Sequence, residues 1–104
     1  MRLAGLGAYV ATKAALSALT RNAALDHIGE GIRINAVSPG PSDTPMSSRP
    51  GETRADRDAR IYDQLPAGRV ASLSEIASAV LYLASPEAGF VVGTDLVIDG
   101  GATA

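Results

Sequence analysis

Residues Ser72–Ile98 read S-L-S-E-I-A-S-A-V-L-Y-L-A-S-P-E-A-G-F-V-V-G-T-D-L-V-I, which predicts a capped helix followed by a strand. Ser72 and Glu75 have the spacing of a capping box, in which each side chain satisfies a backbone N–H of the first turn. The apolar run after them predicts a firm helix that ends near Pro86. Residues 91–98 are almost continuously apolar, which is typical of a parallel strand buried on both faces.

A second strand is predicted upstream, over Ile32–Ser38, where β-branched residues are frequent. The sequence P-G-P at 39–41 ends this strand, because proline cannot continue a strand ladder. The later strand is expected to end at the D-G-G turn of Asp99–Gly101. A strand, a helix and a strand in this order predict a right-handed parallel crossover, so the fold class is α/β.

Two further helices are predicted. Strong helix formers fill residues 7–28, and glycines follow them. One stripe of this helix is mostly alanine and would allow close approach to a neighbour, at positions 11, 14, 15, 18, 22 and 25. Residues 52–64 are highly charged, with Asp56 and Arg60 one turn apart, and predict a short helix exposed to solvent.

Composition narrows the possible functions. The chain has 104 residues, of which 46% are apolar, so a folded core is expected rather than disorder. A net charge of −2 argues against nucleic-acid binding through bulk basicity, and no apolar run is long enough to cross a bilayer. There is no cysteine, and the single histidine, His27, has no second ligand nearby in sequence, so no metal site is predicted. Because residues 1–8 lack a signal-peptide pattern, a soluble cytoplasmic protein is expected.

The only lysine of the chain, Lys13, lies four residues after Tyr9. Side chains at i and i+4 share one face of a helix, so the ammonium and the phenol are expected to be neighbours. A cation beside a phenol favours the ionised phenolate, and such a tyrosine can exchange a proton near neutral pH. From the spacing alone, a half-buried helical pair that has no chemical role is the better explanation.

A second candidate site is the end of the first strand, where N-A-V-S-P-G-P-S-D-T covers Asn35–Thr44. Ligands of open α/β sheets bind at the carboxyl ends of the strands, and this turn offers free backbone groups and hydroxyls there. Taken alone, the motif is explained better by an ordinary exit from a strand into a loop.

Together these motifs resemble the C-terminal half of the short-chain dehydrogenase/reductase family. The resemblance covers about Tyr9–Gly101 and rests on four stretches in order: Y-V-A-T-K, I-R-I-N-A-V-S-P-G-P-S-D-T-P-M, G-R-V-A-S-L-S-E-I-A and G-T-D-L-V-I-D-G-G. It implies the C-terminal part of a Rossmann-type, doubly wound parallel sheet, here with two strands and about three helices. It also implies an oxidoreductase that transfers a hydride between NAD or NADP and a small alcohol or carbonyl substrate.

The resemblance implies the catalytic residues. Tyr9 is similar to the family's catalytic tyrosine, which passes a proton to or from the substrate oxygen. Lys13 is similar to the lysine that assists this tyrosine and hydrogen-bonds the nicotinamide ribose. Both residues are therefore expected to touch the cofactor as well.

The resemblance also implies cofactor contacts at the strand end. Pro39 and Gly40 match the turn beside the nicotinamide. Ser42, where the family usually has an aliphatic residue, would contact the carboxamide through its backbone, and Thr44 would contact it through its hydroxyl. Asn35 fits a structural asparagine of the strand.

Several parts of the family's site have no counterpart in the sequence. The glycine-rich turn that receives the pyrophosphate at a helix N-terminus is not found, nor is the residue that separates NAD from NADP. The family's catalytic serine and the asparagine of its proton relay are not found either. Residues 1–104 are therefore expected to be a C-terminal fragment of one NAD(P)-binding domain, unable by itself to bind a dinucleotide tightly or turn over an alcohol.

A second function stays open at this point, that of a catalytically incompetent fragment that acts only as an oligomerisation or interaction module. The alanine-rich helix and the last strand match surfaces that the family uses for assembly. A homo-oligomer formed through these two elements is therefore expected.

Overall fold

The computed structural model describes residues 5–104 and has an α/β architecture. The helices and strands are α1 (Gly7–His27), β1 (Ala36–Pro39), α2 (Arg54–Gln64), α3 (Leu73–Ala84) and β2 (Asp95–Ile98). Short 3-10 turns cover Ile28–Glu30, Pro45–Ser47 and Pro86–Ala88. The predicted class, with two strands and three α-helices, is confirmed. None of the helices within residues 5–104 combines the length and the apolar character that a membrane crossing requires.

The boundaries of α3 follow from its local sequence, as predicted. The backbone N–H of Ser72 donates to Glu75 Oε1 at 2.9 Å, and the backbone N–H of Glu75 donates to Ser72 Oγ at 3.2 Å. The helix ends at Ala84, just before Pro86. The capping box is therefore confirmed.

β1 and β2 are parallel neighbours, with Ala36 opposite Asp95 and Pro39 opposite Ile98. The chain between them contains α2 and α3. The parallel pairing predicted from the strand, helix and strand order is confirmed.

The sheet has a helix on each face. Side chains alternate along a strand, so Ser38 and Val37 point to opposite faces. On the Ser38 face, the hydroxyl of Ser17 in α1 reaches the carboxylate of Asp95. On the Val37 face, Val37 and Leu83 of α3 line a common cavity. The order is therefore α1, sheet, α3, which is the layering of an α/β domain.

Both strands are shorter than predicted, because the residues before each ladder are held by a side chain. Asn35 Nδ2 donates to the carbonyl of Val91 at 3.0 Å, and Asn35 Oδ1 accepts from the backbone N–H of Thr94 at 2.9 Å. This amide joins the segments that enter β1 and β2, beside a backbone hydrogen bond from the N–H of Gly93 to the carbonyl of Ile34. The structural role expected of Asn35 is observed.

α2 differs from the fully exposed helix that its charges predict. Asp56 forms a capping box with Thr53 and is therefore engaged at the N-terminus of the helix rather than with Arg60. Arg57 and Ile61 are each only 4% exposed. One face of α2 is thus buried, and its charged residues serve tertiary contacts that sequence spacing does not reveal.

Much apolar surface lacks cover within residues 5–104. Leu19 and Leu25 of α1 are 61% and 75% exposed, and Val97 of β2 is 51% exposed. The predicted burial of β2 on both faces is therefore wrong for this chain, because Val97 borders an open cleft.

The accessible surface is 7336 Å², against about 5,500 Å² for a compact monomer of 10.6 kDa. The radius of gyration is 16.0 Å, against about 13 Å for a compact domain of this length.

Candidate active site

Tyr9 and Lys13 lie one turn apart on α1, and their side chains converge. The Nζ atom of Lys13 is 5.5 Å from the centroid of the Tyr9 ring, a cation–π contact. Tyr9 is 52% exposed, so its phenol is open to solvent or to a ligand. The pairing expected from the spacing is present.

Two contacts fix the direction of α1 across the sheet. The first is between Ala24 and Gly93: a Cβ added to this glycine would lie 3.4 Å from the Cβ of Ala24. The second is the hydrogen bond from Ser17 to Asp95, which lies two residues further along the chain than Gly93. As α1 runs back from Ala24 to Ser17, the chain that enters β2 runs forward from residue 93 to residue 95, so helix and strand are antiparallel. Both contacts lie on the helix face that also carries Lys13, four residues before Ser17.

This direction places the Tyr9–Lys13 pair at the carboxyl end of the sheet. Tyr9 lies eight residues before Ser17, which is about 12 Å along a helix axis. β2 continues for three residues beyond Asp95, which is about 10 Å. The pair is therefore level with the end of β2, where open α/β sheets bind their ligands.

The turn after β1 is packed tightly against the end of β2. The backbone N–H of Gly40 donates to the carbonyl of Ile98 at 2.8 Å. A Cβ on Gly40 would lie 2.7 Å from the Cα of Asp99, a distance that no side chain allows. Glycine is therefore required here by close backbone approach, whether or not a ligand is bound.

Ser42 and Thr44 lie in the loop that leaves this turn. Ser42 forms an isolated parallel bridge with Ala71, and its hydroxyl donates to the carbonyl of Gly40 at 3.0 Å. The backbone N–H of Thr44 donates to the carbonyl of Ser42 at 2.7 Å. With respect to residues 5–104, the Ser42 backbone N–H and the Thr44 hydroxyl make no hydrogen bond, which leaves two polar groups able to meet a ligand.

An arginine network that sequence reasoning missed fastens this loop to α2. Arg57 Nη1 donates to Asp43 Oδ1 at 2.9 Å, and this hydrogen bond holds the pKa of the Asp43 carboxyl below its usual value. Arg60 donates to both carboxylate oxygens of Glu52, at 2.9 and 2.8 Å. The hydrogen bonds from Arg60, and next that from the backbone of Arg49, lower the pKa of Glu52 to about 2. The sequence shows that this segment is rich in arginine and acidic residues. It does not show which residues pair, because the carboxylate partners of Arg57 and Arg60 in the loop lie 14 and 8 residues away.

The last strand ends in the predicted D-G-G turn. The Asp99 carboxylate accepts from the Thr103 hydroxyl at 2.6 Å and from the backbone N–H groups of Gly101 and Thr103, both at 3.0 Å. These bonds, led by the Thr103 hydroxyl, lower the pKa of Asp99. Gly100 has φ +63°, a conformation that favours glycine.

A cleft of about 590 Å³ opens at the strand ends, between the sheet and α2. Its walls are Ser38, Pro39, Gly40, Pro41, Arg49, Arg60, Ile61, Gln64, Leu65, Val97, Asp99, Ala102 and Thr103. The structure thus brings Pro39 and Gly40 into one cavity. Tyr9, Lys13, Ser42 and Thr44 lie outside its wall. Among residues 5–104, no group of three or more His, Cys, Asp and Glu side chains is arranged to hold a metal ion.

A parallel sheet with a helix on each face, and a tight turn at its carboxyl end, defines part of a doubly wound α/β protein. Residues 1–103 match the family model described as enoyl-(acyl carrier protein) reductase. The chain belongs to the short-chain dehydrogenase/reductase family, whose members are oxidoreductases.

Relatives with known activities match over nearly the whole chain. The cis-4-hydroxycyclohexanecarboxylate dehydrogenase of Sinomonas cyclohexanicum is 46% identical over 102 residues, which are 97% of this chain and 39% of that enzyme. The aldohexose dehydrogenase of Thermoplasma acidophilum superposes with a TM-score of 0.85 at 35% identity, covering 99% of this chain and 43% of that one. This chain therefore spans about two fifths of the length of these relatives.

Solved relatives also show the cofactor of the family. A 4-hydroxyisoleucine dehydrogenase complexed with NADH has a TM-score of 0.81 at 34% identity, covering 92% of this chain and 39% of that one. Solved relatives include complexes with NADH and with NADPH, so the expected cofactor class, NAD or NADP, is confirmed for the family.

Proposed function

We propose that this chain carries the proton-transfer residues and part of the nicotinamide site of an NAD(P)-dependent oxidoreductase acting on an alcohol or carbonyl. The observation that carries the proposal is the stacking of the Lys13 ammonium on the Tyr9 ring, at the carboxyl end of the sheet. Membership in the family and the NADH complex of a relative support it.

Tyr9 is the proposed proton donor and acceptor. A dinucleotide held by these residues would supply the hydride that the carbonyl carbon receives in reduction. The Tyr9 hydroxyl gives its proton to the carbonyl oxygen, so that C=O becomes CH–OH, and alcohol oxidation reverses both transfers. Lys13 puts a positive charge beside the phenol and stabilises the phenolate that remains. Since Tyr9 is half exposed, its proton can be restored from water.

The turn after β1 fits the amide edge of a nicotinamide ring. Pro39 ends the strand, and Gly40 keeps this corner free of a side chain. The Ser42 backbone N–H and the Thr44 hydroxyl, unbonded within residues 5–104, can donate to the oxygen of a carboxamide. The proposed cofactor contacts are thus Tyr9 and Lys13 on the helix, together with Pro39, Gly40, Ser42 and Thr44 of this turn and loop.

The remaining part of the site is proposed to come from polypeptide outside these 104 residues. The relatives are more than twice as long as the matched region. The surface excess of about 1,800 Å² over a compact monomer is roughly twice the ~800 Å² that one partner contributes to a standard protein interface. We propose that the family's nucleotide-binding half covers this surface, and that residues 1–104 alone neither bind the dinucleotide tightly nor turn over substrate.

A second candidate function is supported by the same exposed surface. Leu19 and Leu25 on α1 and Val97 on β2 could pair with a second copy of the chain, which would then act as an interaction module. Sedimentation velocity on the purified chain tests whether such a module assembles. A defined dimer that persists at low micromolar concentration favours the module.

A chimera tests the enzymatic proposal. The N-terminal portion of the Sinomonas cyclohexanicum dehydrogenase, joined ahead of residues 1–104, gives the chimera the length of that relative. The chimera is expected to bind NADH or NADPH, measured by nicotinamide fluorescence, and to oxidise cis-4-hydroxycyclohexanecarboxylate. Residues 1–104 alone are expected to do neither. A well-folded chimera that binds no dinucleotide would contradict the proposal.

A further inference from the structure

Arg57 is buried although it lies in the most charged segment of the chain. Its side chain is 5% exposed, and its guanidinium donates in two directions. Nε and Nη2 donate to Asp58 Oδ1 at 3.0 and 2.8 Å, while Nη1 donates to Asp43 Oδ1 at 2.9 Å and to Ser47 Oγ at 3.0 Å. Such a planar fork of donors fixes several acceptors in one geometry, which a lysine ammonium cannot do.

Two of the acceptors of Arg57, Asp43 and Ser47, lie on either side of Thr44 in the chain. Asp43 precedes it in the chain, and Ser47 Oγ donates to the carbonyl of Thr44 at 2.6 Å. Arg60 adds a second hold on the same loop, because its Nη2 donates to the carbonyl of Ser47 at 2.9 Å. The Asp43 side chain is therefore tied to α2 directly and the Thr44 carbonyl through Ser47, while the Thr44 hydroxyl is left without a partner in residues 5–104.

Stability alone does not explain this network, because burying a charged side chain costs free energy. Asp43 and Asp58 are 40% and 56% exposed, but the Arg57 guanidinium is buried, and its ion pairs must offset the desolvation of that charge. What the network does provide is one fixed orientation for the loop at Thr44.

We propose that Arg57 is a positioning residue, which holds the Thr44 hydroxyl in the orientation that receives the carboxamide of a nicotinamide. The inference rests on the proposed function, because that function assigns the carboxamide to Thr44. Its structural part, that Arg57 through Ser47 orders residues 43–47, stands on the hydrogen bonds alone.

The structural part is tested on the full 104-residue chain by amide hydrogen exchange. Arg57→Ala is expected to speed the exchange of the Asp43 and Thr44 amides by about tenfold, because the loop can then open without breaking the hydrogen bonds of Arg57. Arg54→Ala is the matched control, because Arg54 also contacts Asp43, at 3.2 Å, but is 74% exposed and is not bonded to Ser47. It is expected to change exchange by less than about twofold.

The functional part is tested on the chimera by steady-state kinetics. Arg57→Ala is expected to raise the KM for the dinucleotide about fivefold or more while kcat changes less than about twofold, because the lost order affects binding rather than proton transfer. Arg57→Lys is expected to recover only part of this loss. If Arg57→Ala does not fold, Ser47→Ala provides the test, because it removes only one hydroxyl. It should also speed the amide exchange of Asp43 and Thr44 and raise the KM for the dinucleotide.

The outcomes separate the two proposals. A wild-type chimera that folds but binds no dinucleotide overturns the proposed function and, with it, the carboxamide role of Thr44. The positioning role alone is overturned if the wild-type chimera binds the dinucleotide and the Ser47→Ala and Arg57→Lys variants match the wild type in amide exchange and in KM. Faster exchange with an unchanged KM also overturns it.

Discussion

The hydroxyl of Ser17 donates to the carboxylate of Asp95 at 2.9 Å, joining residues that are 78 positions apart in the chain. The other oxygen of Asp95 accepts from Ser38 Oγ at 2.5 Å. One carboxylate therefore ties α1 to both strands. Because Lys13 and Tyr9 lie on the same helix face, this tie determines where the candidate proton donor stands relative to the strand ends.

The first prediction concerns that tie. Asp95→Ala removes two hydrogen bonds and leaves two hydroxyls unpaired, so the free energy of unfolding is expected to fall by about 1–3 kcal/mol. Urea denaturation followed by circular dichroism measures the loss. Asp63→Ala, at an exposed aspartate of α2, should change the free energy by less than about 0.5 kcal/mol. Equal stability of the two variants would show that Asp95 does not hold α1.

The second prediction concerns the corner after β1. Gly40→Ala places a methyl group 2.7 Å from the Cα of Asp99, so the backbone must shift, at an expected cost of about 1–3 kcal/mol in unfolding free energy. Gly29→Ala is the control, because a Cβ there meets no atom within 4 Å. Thermal denaturation of both variants measures the difference. A Gly40→Ala protein as stable as Gly29→Ala contradicts the close packing of this corner.

The third prediction concerns acid stability. The folded-state pKa of Glu52 is about 2, below its usual 4.5, because Arg60 donates two hydrogen bonds to the carboxylate. A lowered folded pKa gives stability that is present above pH 4.5 and is lost as the pH falls toward 2. The urea midpoint of the wild type should therefore drop more steeply between pH 5 and 2 than that of Glu52→Gln.

A second carboxylate with a lowered pKa, Glu75, is unchanged in this comparison. Arg69 and the backbone of Ser72 lower the pKa of Glu75 to about 2 as well, so both proteins retain that contribution. The difference between the wild type and Glu52→Gln thus isolates Glu52. Parallel pH profiles would mean that the Arg60–Glu52 pair contributes nothing to folding.

Local signals allowed much of the fold to be predicted from the sequence. The Ser72–Glu75 capping box set the start of α3, and helix-forming residues set the length of α1. The pairing of Tyr9 with Lys13 followed from helix geometry, because both belong to one turn. These features depend on residues that are three or four positions apart.

Long-range partners could not be predicted in the same way. The burial of Arg57 depends on Asp43, 14 residues away, and no periodicity encodes that pairing. The apolar run of β2 predicted burial on both faces, yet Val97 is half exposed because the described chain leaves its cleft open. The Asn35 bridges, which shorten both strands, likewise join residues 56 and 59 positions apart.

The central claim, that Tyr9 transfers the proton, is tested most directly by Tyr9→Phe in the chimera. The substitution removes the hydroxyl and keeps the ring on which Lys13 stacks. We expect kcat to fall by about 100-fold or more while the dinucleotide Kd changes less than about threefold. Tyr62→Phe, at a tyrosine that is 73% exposed on α2, should leave both values unchanged. Turnover by Tyr9→Phe at the wild-type rate, with the dinucleotide bound, would contradict the proton-transfer role.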